Sequence, residues 1–143
     1  MEEETLQSNN KLPLSIRFLM AVLSSFILVI GIYFISSWLG GMDSTMQLPA
    51  FIYKPFSLIP SLATTLIGIS LAAFVFVILK MNTTAWRVSF NLFALLVLML
   101  AFVATLLIPE ASTGMIITLN LMHIGVALCT IYFFSYFNKL FKS

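Results

Sequence analysis

Residues 18–38 read FLMAVLSSFILVIGIYFISSW and carry no charge. A helix rises 1.5 Å per residue, so about 20 apolar residues cross a hydrocarbon core of ~30 Å. The stretch is long enough to do so. A cleavable leader is the competing reading, with an apolar core of about 7–15 residues closing on a small-x-small site. This run is longer and closes on Ser36-Ser37-Trp38-Leu39, which favours a membrane span.

Three further runs of the same kind follow, at residues 61–79, 88–108 and 115–137, and none contains Asp, Glu, Lys or Arg. The whole chain of 143 residues is 61% hydrophobic and 8% charged, with a mean hydropathy of +1.09. Soluble domains hold about 25% charged residues, because charge keeps a folded surface in water. This composition calls for lipid around the waist of a single domain. Backbone groups in lipid must bond internally, so each span is helical.

The polar segments between the runs are short. Residues 1–15, with Glu2, Glu3, Glu4 and Pro13, read as a cytoplasmic N-terminal tail. Residues 39–60 form the longest connection, with Gly40-Gly41, Asp43, Pro49, Pro55 and Pro60. Phe51, Tyr53 and Phe56 beside Lys54 suit the headgroup level, where amphipathic rings gather, so a short interfacial segment is expected there. Pro60 falls near the first turn of the second helix, where its missing N–H costs nothing. Tight turns at 80–87 and 109–114 make spans 2 and 3, and spans 3 and 4, antiparallel neighbours. The transmembrane domain is expected at 16–138 and a cytoplasmic C-terminal tail at 139–143.

Orientation follows from the cations. Lys11, Arg17, Lys80, Arg87, Lys139 and Lys142 fall on one side of the spans, and only Lys54 falls on the other, with Asp43 and Glu110. Short loops rich in Lys and Arg stay cytoplasmic. The reading is an all-α membrane protein: an antiparallel four-transmembrane-helix bundle with both termini cytoplasmic, in a bacterial plasma (inner) membrane. The formal net charge of +2 is small and calls for no nucleic acid. The lone Cys129 excludes an intrachain disulfide and a CxxC redox centre.

Spans without a carboxylate argue against ion- or proton-coupled transport, which needs a group to bind and release the cation. A small multidrug exporter would need a Glu in span 1. A vitamin-K-epoxide-reductase-like enzyme would need paired cysteines, and a rhomboid-type protease more spans. The exception to the apolar interior is His123, about 12 Å into span 4 from its outer end at 1.5 Å per residue. Asn120, Ala127 and Thr130 share its helix face. Gly31, Thr64, Thr65 and Ala101 stand at similar depth in the other spans. A polar pocket of His123, Asn120, Thr64, Thr65 and Thr130 is therefore a candidate ligand site. Two other readings stay open beside it. A lone His and Asn in membrane helices also serve as interhelical glue, at about 0.6–2 kcal/mol per contact. A metal or haem ligand would need partners from a second copy, since one His makes no closed metal site. No catalytic residue, metal or cofactor is assigned.

The remaining signals are weaker. Trp86-Arg87, with Tyr53 and Lys54, fits an interfacial or lipid-contacting set, the Arg snorkelling to phosphates. Gly68-x-x-x-Ala72 matches a small-xxx-small spacing that is common by chance. Asn91 sits one turn into span 3, too far in depth to meet Asn120. The eight methionines are scattered, which argues against copper handling.

Gly41-Met42-Asp43 after span 1, Trp86-Arg87 at the start of span 3, and Leu121-Met122-His123 in span 4 mark a layout that resembles a family of small four-span bacterial membrane proteins of unknown function. The resemblance covers most of residues 15–137. It implies that the span 4 histidine belongs to a shared pattern, and it supplies no mechanism. The function expected first is therefore a non-enzymatic accessory, immunity or envelope component. It would act through helix or lipid contacts, with the bilayer and a second copy or another membrane protein as partners. The alternatives are an oligomeric small-molecule transporter or channel with a polar layer at His123, and a membrane cofactor-binding protein or enzyme using His123. A holin-like lytic protein is a further option.

Overall fold

A computed structural model describes residues 13–39, 45–48, 52–55, 58–108 and 111–137. The expected tails therefore lie almost wholly outside the described residues. So do Gly41, Met42, Asp43, Phe51, Phe56, Glu110 and the cations Lys11, Lys139 and Lys142.

Four helices carry the fold, each long and apolar enough to cross a membrane. Helix α1 spans Leu14–Trp38, α2 Leu58–Asn82, α3 Trp86–Leu106 and α4 Thr113–Ile131. Each of α1 and α2 has 25 residues, about 37 Å at 1.5 Å per residue, more than the ~30 Å core demands. The excess comes from the flanks. Pro13 adopts an extended conformation ahead of α1, and its carbonyl accepts from the N–H groups of Ile16 and Arg17 at 3.1 and 3.3 Å. Arg17 thus lies inside the first turn of α1. At the head of α4, Ser112 Oγ accepts from the Met115 N–H at 3.2 Å, satisfying one donor that a helix start leaves free. At the tail, α4 runs on into a π-helical turn, Tyr132–Tyr136.

Between α1 and α2, where an interfacial segment was expected, the chain forms an antiparallel hairpin. Strand β1, Thr45–Leu48, pairs with β2, Ile52–Pro55, Thr45 opposite Pro55 and Leu48 opposite Ile52. β-Branched Thr and Ile with Tyr favour extended backbone, and Pro55 is tolerated at a strand end. The fold is otherwise helical.

The helices close a ring. α1 packs on α2 and α4, α3 packs on α2 and α4, and α2 touches α4 across the diagonal. Successive helices run antiparallel: Phe76 near the end of α2 meets Phe90 at the start of α3, ring centroids 5.5 Å apart. The core is concentrated at this end. Phe134 lies 5.1 Å from Phe76 and 5.9 Å from Phe90, and Trp86 stands edge-on to Phe76 at 5.2 Å. Ala21 and Ile69 fill the remaining space and are fully buried. Large apolar side chains also cover the outside of the bundle, Ile27 being 73% and Trp38 86% exposed. A monomer in water rarely shows continuous apolar patches of this kind; acyl chains are their natural solvent.

Candidate functional site

Beside the aromatic cluster, and sharing Phe90 with it, α2, α3 and α4 border a half-open cavity of about 390 Å³. Its walls follow helical spacing. Ser61, Thr64, Thr65, Gly68 and Ala72 line it from α2, Phe90, Ala94 and Ala101 from α3, and Met122, His123, Ala127 and Thr130 from α4. Positions three or four apart share one helix face. The cavity exists because many of these residues are too small to fill it. No atom lies within 4 Å of where a Cβ would stand on Gly68.

The cavity is mostly apolar, with a few polar atoms. His123 is half-buried. Its Nδ1 is shut off from solvent without a hydrogen-bond partner, the Leu119 carbonyl one turn back interacting with the ring without reaching hydrogen-bond geometry at that nitrogen. The threonine protons are spent within their own helices. Thr64 Oγ1 donates to the Pro60 and Ser61 carbonyls, both at 3.0 Å, Thr65 to Ser61 at 2.7 Å, and Thr130 to Val126 at 2.7 Å. The helix backbone competes successfully for these protons. The threonines offer acceptor lone pairs instead, and His123 brings an imidazole whose Nδ1 is buried without a hydrogen-bond partner.

Of the five candidate residues, His123, Thr64, Thr65 and Thr130 come to one cavity and Asn120 does not. Asn120 Oδ1 accepts from Thr105 Oγ1 at 2.7 Å, tying α4 to the last turn of α3. Gly31 is also absent from the lining, since α1 contributes nothing to it. The Gly68-x-x-x-Ala72 pair opens on the cavity rather than on a tight helix contact. The close approach is at Gly125, where a Cβ would collide with the Leu28 side chain of α1.

The interfacial set lies elsewhere. Tyr53 and Lys54 are on β2, opposite Gln47 and Met46. The Arg87 guanidinium lies over the Trp86 ring, its Cζ 5.0 Å from the centroid. Two groups do more than the sequence assigned them, Asn91, which reads there as a packing contact or a group reaching the interface, and Arg17. Asn91 Nδ2 donates to the Tyr136 hydroxyl at 3.0 Å, and Ser135 Oγ donates to Asn91 Oδ1 at 2.9 Å, a clasp between α3 and the π turn. Arg17, read only as a topological charge, is buried against α4. Its position in the first turn was the available signal.

A family model matches the chain from residue 11 to residue 139, across all four helices. The chain belongs to DUF6069, a family of unknown function. The DUF6069 match takes in every residue of the cavity, the Asn91 clasp and both arginines, in keeping with the family resemblance carried by Trp86-Arg87 and Leu121-Met122-His123. No curated protein and no solved structure matches this DUF6069 member.

Proposed function

We propose that this protein is a non-enzymatic four-span component of a bacterial plasma membrane that binds a small lipophilic molecule at His123. Both termini lie on the cytoplasmic side in this reading, which six Lys and Arg residues against one support. The observation that carries the binding reading is the cavity itself. Its volume of about 390 Å³ falls within the usual 300–1,000 Å³ of ligand sites. Apolar walls with one imidazole among them suit a largely hydrocarbon molecule bearing one hydroxyl, carbonyl or amide. A neutral imidazole offers one donor and one acceptor, so either kind of head group finds a partner. Among the described residues no carboxylate faces this space, which favours a neutral occupant over a cation. The chemistry on offer is capture and orientation, with no nucleophile–base pair among the lining residues.

Native mass spectrometry of the detergent-purified protein and of His123→Ala tests this. The expected result is an adduct on the wild-type chain whose occupancy falls roughly tenfold in the variant, with unchanged thermal unfolding. An empty wild-type cavity, or equal occupancy in both proteins, overturns the proposal and leaves His123 as interhelical packing.

A further inference from the structure

Arg17 presents a different problem at the aromatic end of the bundle. It is 6% exposed, yet it carries a full charge. A buried guanidinium is tolerated when its five N–H donors are met and its charge is balanced. Here one bond is made, Nη1 to the Phe134 carbonyl at 3.2 Å, and Nε is buried without a partner. The Phe134 carbonyl belongs to the last turn of the fourth helix, where carbonyls lack intrahelical donors and the dipole is negative. That supplies a partial charge, not a counter-ion.

The neighbouring charge makes matters worse. A chain of contacts sets Arg87 at the same end as Arg17: Phe134, whose carbonyl meets Arg17, packs on Phe76, and Phe76 packs on Trp86. Trp86, fixed edge-on against Phe76, holds the Arg87 guanidinium over its ring. Lys80, exposed at the end of α2, adds a third cation to this end of the bundle. The chain's five carboxylates, Glu2, Glu3, Glu4, Asp43 and Glu110, all lie outside the described residues. Two guanidinium groups are thus held near one another, one of them sealed with an idle N–H, and nothing described offsets them.

We propose that Arg17 and Arg87 together hold a phosphate group at this end of the bundle. A tetrahedral anion accepts from several N–H groups at once, and the guanidinium fork matches it in a bidentate manner. Both arginines stand in the first turn of a membrane-spanning length of helix, the depth of lipid headgroups. An anionic phospholipid is the natural source, and inorganic phosphate is the other source of the same chemistry.

The test is thermal unfolding of the full chain in maltoside micelles. These are doped with phosphatidylglycerol, with phosphatidylcholine, or supplied with inorganic phosphate at constant ionic strength. The expected result is a rise in Tm of several degrees with phosphatidylglycerol and little with phosphatidylcholine. That rise is abolished in Arg17→Gln and reduced in Arg87→Gln, while Arg17→Lys, which keeps charge without the fork, retains part of it. An equal rise with inorganic phosphate supports the site and assigns it to a free anion. Should Arg17→Gln fail to fold, Arg17→Lys and Arg87→Gln still decide: an undiminished rise in both overturns the proposal. Equal response to the zwitterionic lipid overturns it also. So does a wild-type chain indifferent to every phosphate and destabilised in Glu2→Gln/Glu3→Gln/Glu4→Gln, which would make the chain's own carboxylates the counter-charge.

Discussion

Thr105 Oγ1 lies 2.7 Å from Asn120 Oδ1 and 2.8 Å from the Phe102 carbonyl of its own helix, and one hydroxyl proton serves both acceptors. The bond to Asn120 crosses from the end of α3 to the early turns of α4. It turns the asparagine away from the cavity that His123 enters. Two polar residues three positions apart on α4 therefore have separate tasks.

Removing that crossing bond is expected to cost stability and leave binding alone. Thr105→Val and Asn120→Leu should each lose about 0.6–2 kcal/mol, the range of a hydrogen bond between membrane helices. The double variant should lose less than the sum, because both changes delete the same contact. A cycle of unfolding free energies reads this directly. Loss of the cavity's occupant in Asn120→Leu would return Asn120 to the site.

Gly68 separates cavity volume from stability. With no atom near its missing Cβ, Gly68→Ala is expected to stabilise α2 by up to about 1 kcal/mol, the helix-propensity difference. Gly68→Leu should keep the bundle folded and displace the occupant by filling its space. Tm and adduct occupancy, measured on the same preparations, distinguish the two effects. An occupant retained in Gly68→Leu would move the binding site away from this wall.

Gly125 should behave in the opposite sense. An added methyl meets the Leu28 side chain, and overpacking of this kind costs about 1–3 kcal/mol. The propensity gain offsets only part of that, so Gly125→Ala is expected to lower Tm where Gly68→Ala raises it. Leu28→Ala made in the Gly125→Ala background should recover stability, since it vacates the contested space. Additive losses would mean that α1 and α4 do not meet there.

Orientation is checked with reporters. Alkaline phosphatase fused after Ser143 should be inactive in a bacterial host, and the same enzyme inserted in the 109–112 turn should be active. The reverse pattern would overturn the arrangement drawn from the cations.

Four helices were legible because lipid imposes a length and forbids charge, and both constraints are written in the composition. Which face of each helix turns inward was not. The outside of a bundle in lipid is as apolar as its inside, so periodicity carries no contrast. His123 with Thr64, Thr65 and Thr130 could be placed by depth alone. Depth alone grouped Asn120 with them, since depth does not distinguish a residue pointing at α3 from one pointing between α2 and α3. The threonine hydroxyls bond carbonyls of their own helices, which position along the chain does not reveal. The β1–β2 hairpin was hidden by three prolines, which signal a turn more loudly than Thr45, Ile52 and Tyr53 signal strands. Arg17 was counted for its sign, and only packing revealed that its charge is enclosed.

The π turn at Tyr132–Tyr136 gives the end of the bundle its inward-facing groups. Its i→i+5 bonding seats one residue more than an α-helical turn would, and three consecutive side chains, Phe133, Phe134 and Ser135, are buried there. An ordinary α-helical turn sets consecutive side chains about 100° apart, so three in a row could not all turn inward. Deleting one residue within the segment would restore that winding. The same short stretch supplies the hydroxyl that meets Asn91 and the carbonyl that meets Arg17, so one change of length would be felt at two contacts with two different helices.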